Sequence, residues 1–91
     1  MKTILIDGTD ITTIEEVHDI FSDALDFPSY YGRNLDALHD CLTDVAEPVW
    51  ICVDNVSALT EKLGKPGEAL LLLLESADEE NPNISCLFAA D

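Results

Sequence analysis

Apolar residues along this chain fall into three short runs and four stretches of helical spacing. Thr3 to Asp7 is a β-branched and apolar run stopped by Asp7-Gly8, a strong turn signal, and it reads as a first strand lying inside a sheet. Ile14, Val17, Phe21 and Leu25, with Ala24 beside them, line one face of a helix from about Thr13 to Leu25. Thr12 and Thr13 stand ahead of Glu15 and Glu16, which leaves two capping-box registers open. Asp26-Phe27-Pro28 closes the helix, because the residue before a proline is pushed off helical geometry.

A tight turn follows, punctuated by Pro28 and Gly32, with Asn34 placed to cap a helix running to about Asp44. Leu35, Leu38, Leu42 and Val45 form its apolar stripe, while Asp36, Asp40 and Asp44 stand four residues apart on the other side. After Pro48, the continuous apolar run Val49 to Val53 reads as a strand of a parallel sheet covered on both faces, with Trp50 in the core or at its edge. Val56 to Leu63 reads as a short helix with Ser57 as its cap, and Gly64 to Gly67 as a turn. Glu68 then opens a helix whose leucines, Leu70 to Leu74, make it apolar on most sides and so sandwiched between other elements. Asp78 to Pro82 ends it, and Ile84 to Ala89 is the last strand. Strands alternating with helical layers predict one α/β domain over residues 1–91: a small three-stranded parallel sheet with right-handed crossovers, packed with about four helices.

Charge changes this picture from a fold to a partner. Nineteen acidic residues against four basic ones give a formal net charge of −15, which disfavours nucleic acid and anionic membrane as ligands and favours a basic protein. Composition is equally consistent with acidity that serves solubility or a high-salt habitat. Only three consecutive apolar residues precede Asp7, too few for a signal-peptide core, and no later run approaches a membrane span, so a cytoplasmic chain, monomeric when free, is expected. Cys41, Cys52 and Cys86 lack zinc-like spacing and read as buried thiols rather than disulfide partners.

No phosphate loop, nucleophile elbow, H-E-x-x-H or Cys-x-x-Cys occurs, so no enzyme activity and no cofactor is expected. Asp36 and Asp40 flank His39, but adjacent helical residues point about 100° apart and make no dyad of His39 and Asp40. Three aspartates in a line are also too straight to wrap a cation that takes six to eight oxygens from a curved loop, so no metal site is expected. His18 lies near the first helix's inner stripe without a second ligand-type residue at usable spacing, and reads as a satisfied, partly buried histidine. Like charges four apart repel by roughly 0.2–0.5 kcal/mol per pair, and Asp40 and Asp44 also lie towards the negative end of the helix. The face is either a solubilising surface or one that awaits a cation. Of Tyr30 and Tyr31, one is expected to anchor the turn and the other to present an aromatic face.

The run Y-Y-G-R-N-L-D-A-L-H-D-C-L-T, Tyr30 to Thr43, resembles the signature of the barstar family of intracellular ribonuclease inhibitors. The similarity extends more weakly through the first strand and helix, the L-T-E element at Leu59 to Glu61, and the closing helix and strand. The resemblance implies a three-stranded parallel sheet packed with helices, and a turn and helix that plug the active-site cleft of a basic ribonuclease. It implies that Asp40 takes the place of an RNA phosphate, that Asp36 is a second acidic contact, and that Tyr30, Asn34 and Leu35 also meet the enzyme. His39 stands where the best-known member has tryptophan, and Asp44 and Val45 replace a Gly-Trp pair, so the rim of the contact differs. Glu75 or Ser76 falls opposite the acidic contact of the family's last long helix. The expected function is inhibition of a secreted or toxic ribonuclease, with an immunity role in the producing cell; the alternative is an acidic module for another cationic protein.

Overall fold

A computed structural model describes residues 2–90 of the chain; the ends of the expected domain, Met1 and Asp91, lie outside the described residues. The elements follow in the order β1 (Lys2–Asp7), α1 (Ile14–Leu25), α2 (Leu35–Thr43), β2 (Val49–Asp54), α3 (Val56–Leu63), α4 (Lys65–Glu80) and β3 (Ile84–Phe88). The three strands make one parallel sheet in the order β1-β2-β3. The α/β class, the three strands and the four helices match the expectation.

Two expectations about the sheet are corrected. β1 is an edge strand and β2 the central one. The sheet is covered on one face only: Ile4, Ile6, Val49, Ile51, Val53 and Ile84 are buried against the helices. Leu5, Cys52 and Leu87, paired in register, point the other way, with Leu5 60% and Leu87 55% exposed. Both crossovers, α1 with α2 and α3 with α4, pack into the same core, which leaves the far face open. Trp50 is half-buried on that open face. An unbroken apolar run does not distinguish a strand covered twice from one covered once.

Helix caps set where each crossover begins. Thr13 is the N-cap of α1; its hydroxyl accepts from the Glu16 amide, and the Glu16 carboxylate in turn accepts from the Thr12 hydroxyl and backbone NH. The cap of α3 is Asn55, not Ser57. Asn55 takes a left-handed conformation, φ 54°, and its side-chain amide donates 2.7 Å to Asp7 rather than to its own helix. That bond, with those from Thr9, holds the Asp7 carboxyl below the usual carboxylate range.

Helix α4 begins at Lys65, three residues ahead of Glu68. Pro66 sits in its first turn, where a missing NH costs nothing, and only Gly64, φ 65°, makes the bend. Leu70, Leu74 and Ala77 are buried, but Leu72 is 65% exposed, so α4 is amphipathic rather than sandwiched. All three cysteines are free and half-buried rather than fully buried. Cys86 donates to the Leu74 carbonyl, and its burial, with Asp78 nearby, pushes the thiol up to about 12.

Gly8 does more than turn the chain. A Cβ there would stand 2.2 Å from the Asn55 carbonyl oxygen and 2.8 Å from the Leu59 amide, so β1 and α3 meet backbone to backbone. Gly8→Ala is expected to destabilise the fold by about 1–3 kcal/mol, the range for overpacking a tight contact, read as a lower denaturation midpoint. An unchanged midpoint would contradict this close approach.

Candidate protein-docking site

The site is built on α2 and the turn before it. Asn34 caps α2, accepting from the Ala37 amide at 2.8 Å. Leu38 and Leu42 are fully buried and Leu35 and Val45 half-buried, as the stripe requires. Asp36, Asp40 and Asp44 are exposed, and successive ones are about 6 Å apart along the axis at 1.5 Å rise per residue. Asp44 is the C-cap residue. None of the three carboxylates meets a hydrogen-bond donor or a cation among the described residues, where Arg33 pairs with Asp19 and His39 contacts Glu80.

The C-terminal end of α2 is held by a residue that sequence reasoning took only as part of a helix stop. Asn81 is 6% exposed, and its side-chain NH2 donates to the Leu42 and Val45 carbonyls, both at 2.9 Å. Its Oδ1 accepts from the Asn83 amide at 3.0 Å, which fixes the amide's orientation. The orphan carbonyls of α2 are thereby satisfied from α4. His39 is also turned towards α4, its Nε2 2.5 Å from the Glu80 carboxylate. On α4, Ser76 lies one helical turn before Glu80, and both are exposed. Glu75 is exposed on α4, and after burial and the nearby Asp78 its charge adds to the rise of the Cys86 thiol. The structure thus places Tyr30 on the turn, Asn34 and Asp44 at the caps of α2, Leu35, Asp36, His39 and Asp40 on that helix, and Glu75 on α4. Glu80 went unnoticed in the sequence because it sat in the acidic run that ends α4.

The two tyrosines divide the work. Pro28 to Tyr31 form a turn closed by the Tyr31 amide donating to the Pro28 carbonyl at 2.9 Å. Tyr30 stands at its tip, 81% exposed. Tyr31 packs on Phe27, ring centroids 4.8 Å apart, and its hydroxyl lies 2.6 Å from His18 Nδ1. Burial pushes the Tyr31 phenol up to about 12. His18 is 2% exposed and satisfied by this contact, more buried than the sequence suggested. Arg33, φ 53°, folds back to Asp19 at 2.8 Å and to the Glu15 carbonyl at 3.2 Å, so the turn is tied to α1.

Alongside α2 runs an open groove of about 660 Å³, with Tyr30, Gly32, Asp40 and Asp44 on its walls. Among the described residues no three ligand-type side chains gather to hold a metal ion, and no helix is long and apolar enough to cross a membrane. What the arrangement offers is a rigid anionic ridge beside an exposed tyrosine.

A family model described as Barstar (barnase inhibitor) matches residues 1–89. The chain belongs to the Barstar family. A Bacillus subtilis (strain 168) protein named "Putative ribonuclease inhibitor YrdF" is 44% identical over 81 residues, covering 88% of this chain and 89% of the relative. The Barstar fold here carries its signature run on the turn and α2, and the chain is not an enzyme.

Desolvation lowers the His18 pKa from its ordinary 6.5, and the Arg33 charge adds to this against the opposing pull of Glu15 and Asp19. The stability contributed by neutral His18 is therefore complete above pH 6.5 and is lost as pH falls towards the depressed folded-state value. Tyr31→Phe leaves His18 Nδ1 without its partner and is expected to cost about 1–3 kcal/mol at pH 7.5, measured by chemical denaturation. His18→Gln is expected to flatten the stability profile between pH 5.5 and 7.5. A variant profile as steep as that of the unaltered protein would remove His18 as the source.

Proposed function

We propose that this Barstar-family chain inhibits a basic ribonuclease by seating α2 and the Tyr30 turn in the enzyme's active-site cleft, with Asp40 in the place of an RNA phosphate. The observation that carries this reading is Asp40 itself: exposed, unpaired among the described residues, and set midway between Asp36 and Asp44 on a helix secured at both ends. A carboxylate that gains nothing in the free protein gains most when it meets desolvated cations. Because Asn34 and Asn81 already fix α2, little ordering entropy remains to be lost on docking. Family membership and the printed name of the Bacillus relative support ribonuclease inhibition in general. An immunity role, protecting the producing cell from its own nuclease, is part of the same proposal.

The steering field belongs to the mechanism too. A net charge of −15 speeds encounter with a cationic enzyme, and added salt screens the effect. His39 gives a second reading some footing: it stands where the family's best-known member has tryptophan, and it is drawn onto Glu80. A contact altered there suits a different basic partner.

Titrating a guanyl-preferring secreted ribonuclease with the protein, and following RNA cleavage at low and moderate salt, tests the reading. Stoichiometric inhibition is expected, with onset slower in salt. Asp40→Ala is expected to weaken the complex by at least about 2 kcal/mol, roughly thirtyfold in Kd, while folding stability stays within about 0.5 kcal/mol or rises. Absence of inhibition by the folded protein would favour the acidic module for another cationic partner. Loss of folding in Asp40→Ala would make that residue structural.

A further inference from the structure

The groove beside α2 extends well past the residues assigned to the plug. Its floor is apolar, formed in part by Phe27, Tyr31, Val45 and Pro48, and its walls carry Asp26, Asp40, Asp44 and Glu47. Against these four carboxylates stands one ammonium, Lys2, whose Nζ is committed to the Ala24 carbonyl at the end of α1. Val45, half-buried, fills little of the space between the turn and the start of β2. An apolar trough rimmed by carboxylates suits one kind of side chain, a long aliphatic stem ending in a cation. The Phe27 and Tyr31 rings and the rim carboxylates favour a planar guanidinium, which stacks on aromatic faces and binds a carboxylate through two N–H donors at once.

We infer that this groove is a second subsite of the docking face, receiving an arginine side chain of the same basic ribonuclease, with Asp26 and Glu47 as the residues that set which enzyme fits. The inference rests on the proposed inhibitory function, and it adds two carboxylates from outside α2. Asp26 is the left-handed C-cap of α1, φ 53°, so its carboxylate is offered from a fixed backbone rather than from a free loop. The trough is continuous with the Asp40 ridge, since Tyr30, Gly32 and Asp40 line both. An enzyme whose cleft meets Asp40 would therefore bring its neighbouring surface over the groove.

The test uses Asp26→Asn with Glu47→Gln in one protein. Asparagine tolerates the left-handed conformation, so the fold is retained, checked by an unchanged denaturation midpoint. Against a ribonuclease that the unaltered protein inhibits, association of the double variant is expected to slow about three- to tenfold, with a shallower salt dependence. Unchanged association and dissociation rates, with Asp40→Ala still defective, would overturn the subsite while leaving the plug intact. A second measurement does not depend on any enzyme: N-acetyl-arginine amide is titrated into the 15N-labelled protein. Shifts concentrated at Phe27, Tyr31, Val45 and Glu47, and lost in the double variant, support the subsite even if no ribonuclease is inhibited. Shifts spread equally over exposed carboxylates such as Glu68 and Glu79, or none at all, would refute it.

Discussion

The carboxamide of Asn81 is the fastening on which the docking face depends. A helix of nine residues with aspartates at its negative end is a poor independent structure, since its last carbonyls lack partners and its charges repel one another. Asn81 supplies two N–H donors to those carbonyls from the end of a longer helix, and spends its oxygen on the Asn83 amide that begins the approach to β3. One buried side chain thus joins α2, α4 and the last strand. The acidic ridge keeps its shape without any cation of its own because neutral amide donors occupy that end.

The turn is secured by a different device. Tyr31 reaches the buried His18 and packs on Phe27, while Arg33, the one cation in the signature run, is spent on α1. Anchoring one tyrosine inward leaves its neighbour at the tip facing out. The surface offered to a partner is therefore almost purely anionic and aromatic, and the groups that support it lie behind it. The run from Tyr30 to Thr43 carries exposed Asp36 and Asp40 with no cation paired to either among the described residues.

The alternation of apolar runs was enough to read three strands and four helices, because each helix carries its apolar stripe in local sequence, and α1 and α2 their side-chain caps as well. What eluded the pattern had non-local causes. Pro66 and Gly67 look like a turn, yet a proline fits a helix's first turn, and Gly67 lies buried where a Cβ would stand 3.0 Å from Leu63. The V-W-I-C-V run of β2 gave no sign that Trp50 and Cys52 face an uncovered side, since coverage depends on where the crossovers go. The α2 ridge was legible from spacing alone, whereas Asn81, Glu80 and the partition of the tyrosines required elements up to 41 residues apart to be brought together.

The scarcity of ion pairs gives folding and docking opposite appetites for salt. With a net charge of −15 and one arginine–aspartate ion pair among the described residues, the folded chain is held by apolar packing and neutral hydrogen bonds against its own repulsion. Dissolved ions relax that repulsion and would also dim the field by which the proposed inhibition draws in a cationic enzyme. A saline environment would leave the molecule sturdier but less attentive, and a dilute one would leave it under strain and quick to capture.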